Sequence, residues 1–261
     1  VRVFTIGAGG GGVWAQLGPD IVGVGVEDRL GVSVSLSSDG RRVIAGAPRH
    51  DGEKGHARVY EYSTNTPTWS SLGSDLDGAV SGDLFGAAVA ISGDGNTVAV
   101  GGYNARNANG DASAGVAKVF RLSSVTLQWE QIGSWEGGQN DELGRSVSLS
   151  ENGDIVALGA PGKGGKKGYV DVQVKNPTDL TWVRRGDLIL GEDQGDRAGE
   201  VSISGDGNLV LIGSKHSSGD PNAPASRSGQ ARLFQYQTGA WQQRGLVNGE
   251  AGDDKSGWAV A

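Results

Sequence analysis

The stretch Asp28-Arg29-Leu30-Gly31-Val32-Ser33-Val34-Ser35-Leu36-Ser37-Ser38-Asp39-Gly40-Arg41-Arg42-Val43-Ile44-Ala45-Gly46-Ala47 decides the fold of this 261-residue chain. From Val32 to Ser37 branched apolar residues alternate with serine, the period of a strand with two different faces. Asp39-Gly40 then offers the two positive-φ positions of a type I′ hairpin turn. From Val43 to Ala47 the chain is apolar almost throughout, so neither face of this second strand can be left in water.

The same order of features recurs. Asp-x-x-Gly is found five times, at Asp28/Gly31, Asp83/Gly86, Asp141/Gly144, Asp196/Gly199 and Asp254/Gly257. The tight turn is found four times, as Asp39-Gly40, Asp94-Gly95, Asn152-Gly153 and Asp206-Gly207. A tryptophan with glycine four residues later frames each unit, at Trp14, Trp69, Trp129, Trp182 and Trp241, with spacings of 55, 60, 53 and 59 residues. A period of roughly 40 to 60 residues with several strands in each unit describes propeller blades rather than stacked helical repeats.

Each unit holds four strands. The third reads Ala57-Arg58-Val59-Tyr60-Glu61-Tyr62 in its first copy and Ala117-Lys118-Val119-Phe120 in its second, alternating charge with bulk. The fourth carries the tryptophan, whose ring is large enough to close the outer gap between adjacent blades. The fold expectation is therefore all-β: a β-propeller of four-stranded antiparallel blades, with the Ser and Ala positions on the crowded strands near the axis.

The chain opens on Val1-Arg2-Val3-Phe4, which matches a third strand, and closes on Gly257-Trp258-Ala259-Val260-Ala261, which matches the start of a first strand. This predicts one propeller domain or segment over 1–261: a partial repeat at 1–13, repeats starting at Trp14, Trp69, Trp129 and Trp182, and a partial repeat at 241–261. Five blades, one of them split between the chain ends, is the expectation; part of a six- or seven-bladed ring is the alternative. The absence of methionine points to a segment of a longer or processed chain.

Glycine supplies 47 residues, far above the usual share of about 7%, and its copies fall at fixed steps of the repeat, so they mark turns rather than a low-complexity tract. A net charge of −7 argues against a polyanion or an acidic membrane surface as the main partner, and no apolar run is long enough to span a bilayer. No cysteine is present, which removes disulfides, thiolate metal sites and thiol nucleophiles.

Leu30-Gly31-Val32-Ser33-Val34-Ser35-Leu36 followed by Asp39-Gly40 and Ile44-Ala45-Gly46-Ala47-Pro48 resembles the FG-GAP repeats of the integrin α-chain propeller. Leu84-Phe85-Gly86 and Leu158-Gly159-Ala160-Pro161 carry the same likeness. The resemblance spans essentially the whole chain and is closest to FG-GAP-like repeats with a Trp-x-x-x-Gly step, found in secreted and surface proteins of marine algae and bacteria. It implies an extracellular or cell-surface setting, whereas propellers in general host enzymes, lectins and scaffolds alike.

One departure bears on cofactors. Integrin-type repeats often hold calcium in an Asp-x-Asp-x-Asp-Gly loop between the first and second strands, but here that place holds Ser37-Ser38-Asp39-Gly40-Arg41 and its equivalents. A single carboxylate on a two-residue turn does not supply the six to eight oxygens, roughly, that calcium takes. No cofactor or metal is expected; the extra acids at Glu27, Glu142, Glu192, Asp193 and Asp253 allow at most weak calcium binding in some blades.

Asp28, Asp83, Asp141, Asp196 and Asp254 offer one carboxylate per blade, which could ring a polar channel. Aspartate at such a step more often accepts hydrogen bonds from its own turn, and the structural role is the expectation. Variety is concentrated in the loops between second and third strands, which should emerge on one face of the disc. They contain His50 and Asp51, Tyr103 and Asn104, Lys163 and Lys166, and His216 and Asp220, the candidate ligand-facing residues. The lysine loop at 162–168 lacks the Gly-x-x-x-x-Gly-Lys-Ser/Thr pattern of a P-loop.

Catalytic constellations are thin. His50, His56 and His216 lack the close pairing expected of zinc ligands and suit a surface role, and no Gly-x-Ser-x-Gly elbow is present. The residues therefore point to a non-enzymatic interaction or structural module of an extracellular or surface assembly, with proteins or glycans as partners and no nucleic acid or membrane insertion. A glycan-binding module using Tyr103 with Asn104, and Trp135 beside Glu136, is the alternative. A hydrolase or lyase acting at the axial pocket is the third reading, and it requires two carboxylates of raised pKa converging there.

Overall fold

The computed structural model describes residues 1–6, 12–218 and 227–261. Four antiparallel sheets follow one another along the chain, each ordered inner, second, third, outer strand. The inner strands are Ser33–Leu36, Ala88–Ile91, Ser146–Leu149 and Glu200–Ile203. Behind them lie Arg42–Ala47, Thr97–Gly102, Ile155–Ala160 and Leu209–Ser214, then His56–Ser63, Val116–Leu122, Tyr169–Lys175 and Gln230–Gln237. The outer strands, all carrying a repeat tryptophan, are Thr68–Ser71, Trp129–Glu136, Trp182–Arg184 and Ala240–Asn248. These are the blades of a β-propeller.

The second strands are apolar throughout because their two faces feed different cores. Ile44 packs with Val89, Val98 and Val100 between the first and second blades, while its neighbours Val43 and Ala45 pack with Ile21 and Tyr60 on the other side. Val98 and Val100 face the first blade, and Ala99 between them faces Val147 and Leu158 of the third. A sheet buried on both faces has no room for the polar alternation of a solvent-facing strand.

The serines of the inner strands have a defined task. An inner strand is a sheet edge with unpaired N–H groups. Ser33 and Ser35 accept hydrogen bonds from the amides of Val89 and Ile91 at 2.9 and 3.2 Å, and Ser146 and Ser148 accept from Val201 and Ile203, both at 3.1 Å. Each serine thus satisfies an edge donor of the next blade.

The tryptophans also work between blades. Trp69, Trp129, Trp182 and Trp241 donate Nε1–H to the carbonyls of Leu17, Leu72, Ile132 and Arg185 at 2.7, 2.8, 2.7 and 2.6 Å. Each acceptor directly precedes the glycine of the preceding unit's Trp-x-x-x-Gly. One unit's glycine therefore receives the next unit's indole.

The two ends show what happens without a neighbour. Trp14 is 63% exposed, whereas Trp129 is 7% exposed, and Val34 and Leu36 of the first inner strand are half exposed while their equivalents Val89, Ile91, Val147 and Leu149 are buried. Phe4–Ile6 and Trp14–Gln16 form a two-stranded sheet that pairs with no other strand among the described residues. Residues 257–261 are not in a strand. Among the described residues the chain ends therefore do not pair into the split blade expected from sequence, and the first inner strand is left uncovered, so the blades describe an arc.

At the end of the blades away from the variable loops, each tight turn is braced by Ser-x-Asp/Asn. Ser204 donates to Asp206 Oδ1 at 2.6 Å, and Asp206 accepts from the Asn208 amide at 2.9 Å. The Ser204 hydroxyl, followed by the Asn208 amide, holds the Asp206 carboxyl at about 2. A depressed carboxylate stabilises the folded state above its unfolded value, around 4, and that contribution is lost as pH falls through the folded one. We expect an NMR titration of Asp206 to give a midpoint near this low value and Ser204→Ala to move it up toward the ordinary range; an unmoved midpoint would contradict the assigned cause.

Candidate functional site at the axial mouth

The face bearing the variable loops is organised by the five aspartates. Asp28 accepts from the Gly25 amide at 2.7 Å, Asp83 from Ala79 and Val80 at 3.1 and 2.9 Å, and Asp141 from Gly138 at 3.0 Å. Asp196 accepts from Glu192 and Asp193 at 3.1 and 2.8 Å, and Asp254 from Ala251 at 2.7 Å. Every carboxylate is turned into its own turn instead of ringing a channel.

That turn forces the next residue into the left-handed region in all five copies: Arg29, Leu84, Glu142, Arg197 and Lys255 have φ of 59, 56, 56, 56 and 55°. Such values are uncommon outside glycine and are tolerated where surrounding structure holds them. Here the carboxylate clamp does so. The residue after the repeat glycine is Val32, Ala87, Arg145, Glu200 or Trp258. These two positions per blade, with the first residues of the variable loops, form the mouth of the axis.

Their charges differ from blade to blade, and the pairing follows. Arg197 meets Glu142 at 2.5 Å, and Lys215 approaches Glu200 at 3.8 Å while lying 4.2 Å from the Trp258 ring centroid. Burial pushes the Glu200 carboxyl up and the Lys215 ammonium down, each opposed by its partner. In this sector cations and anions neutralise one another.

The other sector is different. Blade two offers Leu84 and Ala87 where blades three and four offer charge, so Arg29 has no carboxylate across from it. Arg29, Arg49 and Arg145 line one cavity of about 270 Å³ together with Glu53, Tyr103 and the apolar Val32, Pro48, Leu84 and Ala87. Arg145 lies over the Tyr103 ring with its guanidinium carbon 4.1 Å from the centroid. Arg49 reaches Glu53 only at 3.7 Å, and neither Arg29 nor Arg145 makes an ion pair among the described residues.

The loop residues singled out from sequence are placed as follows. His50 Nδ1 lies 2.9 Å from Asp28 Oδ2, an interaction that, as the largest cause, holds the Asp28 carboxyl below its usual range. Asp51 is exposed in a tight turn, and Lys163 reaches Asp141 at 3.3 Å. Asn104 is tied to the Gly82 carbonyl and the Ser113 hydroxyl. Lys166 and His216 share a polar depression with Arg197 and Asp253. Asp220 lies outside the described residues.

Two expectations are corrected. His56 is buried in the third strand of the first blade, not at the surface, and its ring centroid stands 4.2 Å from that of His50, so these two histidines are close in space. The third-strand alternation that places Ala57 and Val59 in the core does not reveal this, because His56 is packed against the His50 ring, which belongs to the preceding loop. Trp135 is not a free aromatic: it is half-buried and packs edge-on against Trp182 at 5.4 Å. Among the described residues no group of three His, Asp or Glu side chains could hold a metal ion.

Comparison with known proteins supports the fold. No family model matches the chain and no curated protein does. The periplasmic gluconolactonase of Pseudomonas aeruginosa superposes with a TM-score of 0.59 at 15% identity, over 95% of this chain and 63% of that one. A candidate 6-phosphogluconolactonase of Bacteroides fragilis gives 0.58 at 14% identity, over 95% and 64%. The chain thus spans less than two thirds of the length of either structure.

Proposed function

We propose that the chain is a non-enzymatic interaction module of an extracellular or cell-surface assembly, engaging its partner with the axial mouth and the surrounding loops. The observation that carries this reading is the distribution of variety. Trp, Gly, Asp and Ser positions common to the repeats are used up in blade-to-blade or turn contacts, while the residues that differ between repeats gather on one face. The FG-GAP-like residues of the first three blades support the surface setting.

Glycan binding is supported less, since Trp135 is packed and both amide groups of Asn104 are engaged. The names of the two solved neighbours bring in a lactonase reading, which needs carboxylates poised for proton transfer. Burial does raise the carboxyls of Asp196 and Glu200, but Asp196 is clamped by its turn and Glu200 faces Lys215. Neither is free to act on a bound lactone.

Photo-crosslinkers at Lys163 and Asn104 on the loop face, and at Arg41 and Asp206 on the opposite face, test the reading on cell-surface material. Cross-links confined to the loop face are expected. Equal labelling of both faces, or hydrolysis of glucono-lactone above the spontaneous rate, would overturn it.

A further inference from the structure

We infer that the cavity between the first three blades binds a small organic anion, a carboxylate or phosphate monoester, with Arg29, Arg49 and Arg145 on its acidic group and Val32, Pro48, Leu84 and Ala87 against its carbon body. The inference deepens the proposed binding role of this face and rests on it.

Charge is the first argument. The chain carries a net charge of −7, yet three guanidiniums converge here with one carboxylate, Glu53, in the lining and a second, Glu200, acting on Arg145. In the neighbouring sector Arg197 and Lys215 have Glu142 and Glu200 as counterparts. The equivalent places facing Arg29 are Leu84 and Ala87, so its guanidinium stays exposed at the cavity with no ion pair among the described residues.

Geometry is the second. The planar guanidinium offers paired donors suited to carboxylate and phosphate oxygens. Arg145 is held against the Tyr103 face, so less freedom is lost when it takes up a ligand, and the clamped turn fixes the backbone from which Arg29 reaches the cavity. Arg49, bound only loosely to Glu53, can reorient. A volume of about 270 Å³ admits one small ring or short chain, and four apolar residues favour a carbon body over a bare ion.

Calorimetry on the intact chain at low ionic strength tests this with phenyl phosphate, benzoate, inorganic phosphate and neutral benzyl alcohol. Phenyl phosphate or benzoate is expected to bind more tightly than inorganic phosphate, with the order of the first two identifying the preferred acid, and benzyl alcohol is expected not to bind. Arg29→Gln and Arg145→Gln should each weaken binding about tenfold, the scale of one charge-assisted contact, while Arg41→Gln on the opposite face leaves it unchanged. Should Arg145→Gln fail to fold, the exposed Arg29→Gln carries the comparison. Absence of heat with both organic anions, binding indifferent to Arg29 and Arg145, or equal binding of benzyl alcohol would overturn the inference. Loop-face cross-links that persist without anion binding would remove the inference and leave the interaction module standing.

Discussion

Replacing Gly159 with alanine is expected to separate the third and fourth blades. A Cβ at Gly159 would stand 1.8 Å from the carbonyl oxygen of Gly199, and both partners are backbone, so neither can rotate away. The same approach is repeated around the arc: Gly46 on Gly86 at 1.9 Å, Gly101 on Gly144 at 2.0 Å and Gly213 on Gly257 at 2.1 Å. Relief requires moving one sheet off the other and loosening the core of Ala157, Val170, Val201, Val210 and Ile212 between them. The expected cost is at least about 3 kcal/mol, at the upper end for overpacking. Gly205→Ala, whose Cβ would meet only the Glu151 side chain at 3.4 Å, should cost under about 1 kcal/mol. Urea midpoints at unchanged slope measure the difference, and equal midpoints would show that the blades are not held at this distance.

The second large effect separates two tryptophans that look alike in sequence. Trp129 is buried, donates to the Leu72 carbonyl at 2.8 Å, and presses on Gly73, where a Cβ would come within 2.7 Å of its Cδ1. Trp129→Ala should cost about 3 to 5 kcal/mol from the lost packing and hydrogen bond. Trp14 is mostly exposed and its indole makes no hydrogen bond among the described residues, so Trp14→Ala in this chain should stay within about 1 kcal/mol. Since blades in an array couple to nearest neighbours, the Trp129 loss should appear as loosening against the first blade. Equal losses would place the tryptophans' role inside their own sheets.

The scaffold was legible because it is repeated. Tryptophan at a spacing of 53 to 60 residues, Asp-x-x-Gly and Asp-Gly each mark one step of a blade, and the structure places strands between them as that pattern requires. What each residue touches was not legible. The pairing of Trp69 with the Leu17 carbonyl, or of Ser148 with the Ile203 amide, joins adjacent repeats, and a pattern read within one repeat is blind to it. Sequence did not show that the described end segments leave each other unpaired, since Val1-Arg2-Val3-Phe4 matches a third strand whether or not a partner is at hand.

The axial mouth was harder still. Arg29, Arg145, Arg197, Glu142 and Glu200 occupy two positions flanking the Leu-Gly, Phe-Gly or Ala-Gly step, and these change in charge from blade to blade. Aligning the repeats for what they share hides such positions. A usable signal was present all the same: Leu84 is the uncharged member of the series Arg29, Leu84, Glu142, Arg197, Lys255, and that break leaves Arg29 without an ion pair among the described residues.

Shared residues build the arc, and under the proposed function the differing residues at its mouth do the binding. Titration of phenyl phosphate into the Arg29→Gln/Arg145→Gln double variant, run beside its thermal melt, tests it most directly. Binding should be lost, with a melting temperature within about 3 °C of the unaltered chain. Undiminished binding, or a melt displaced well beyond that margin, would show that these arginines belong to the scaffold or to nothing at all.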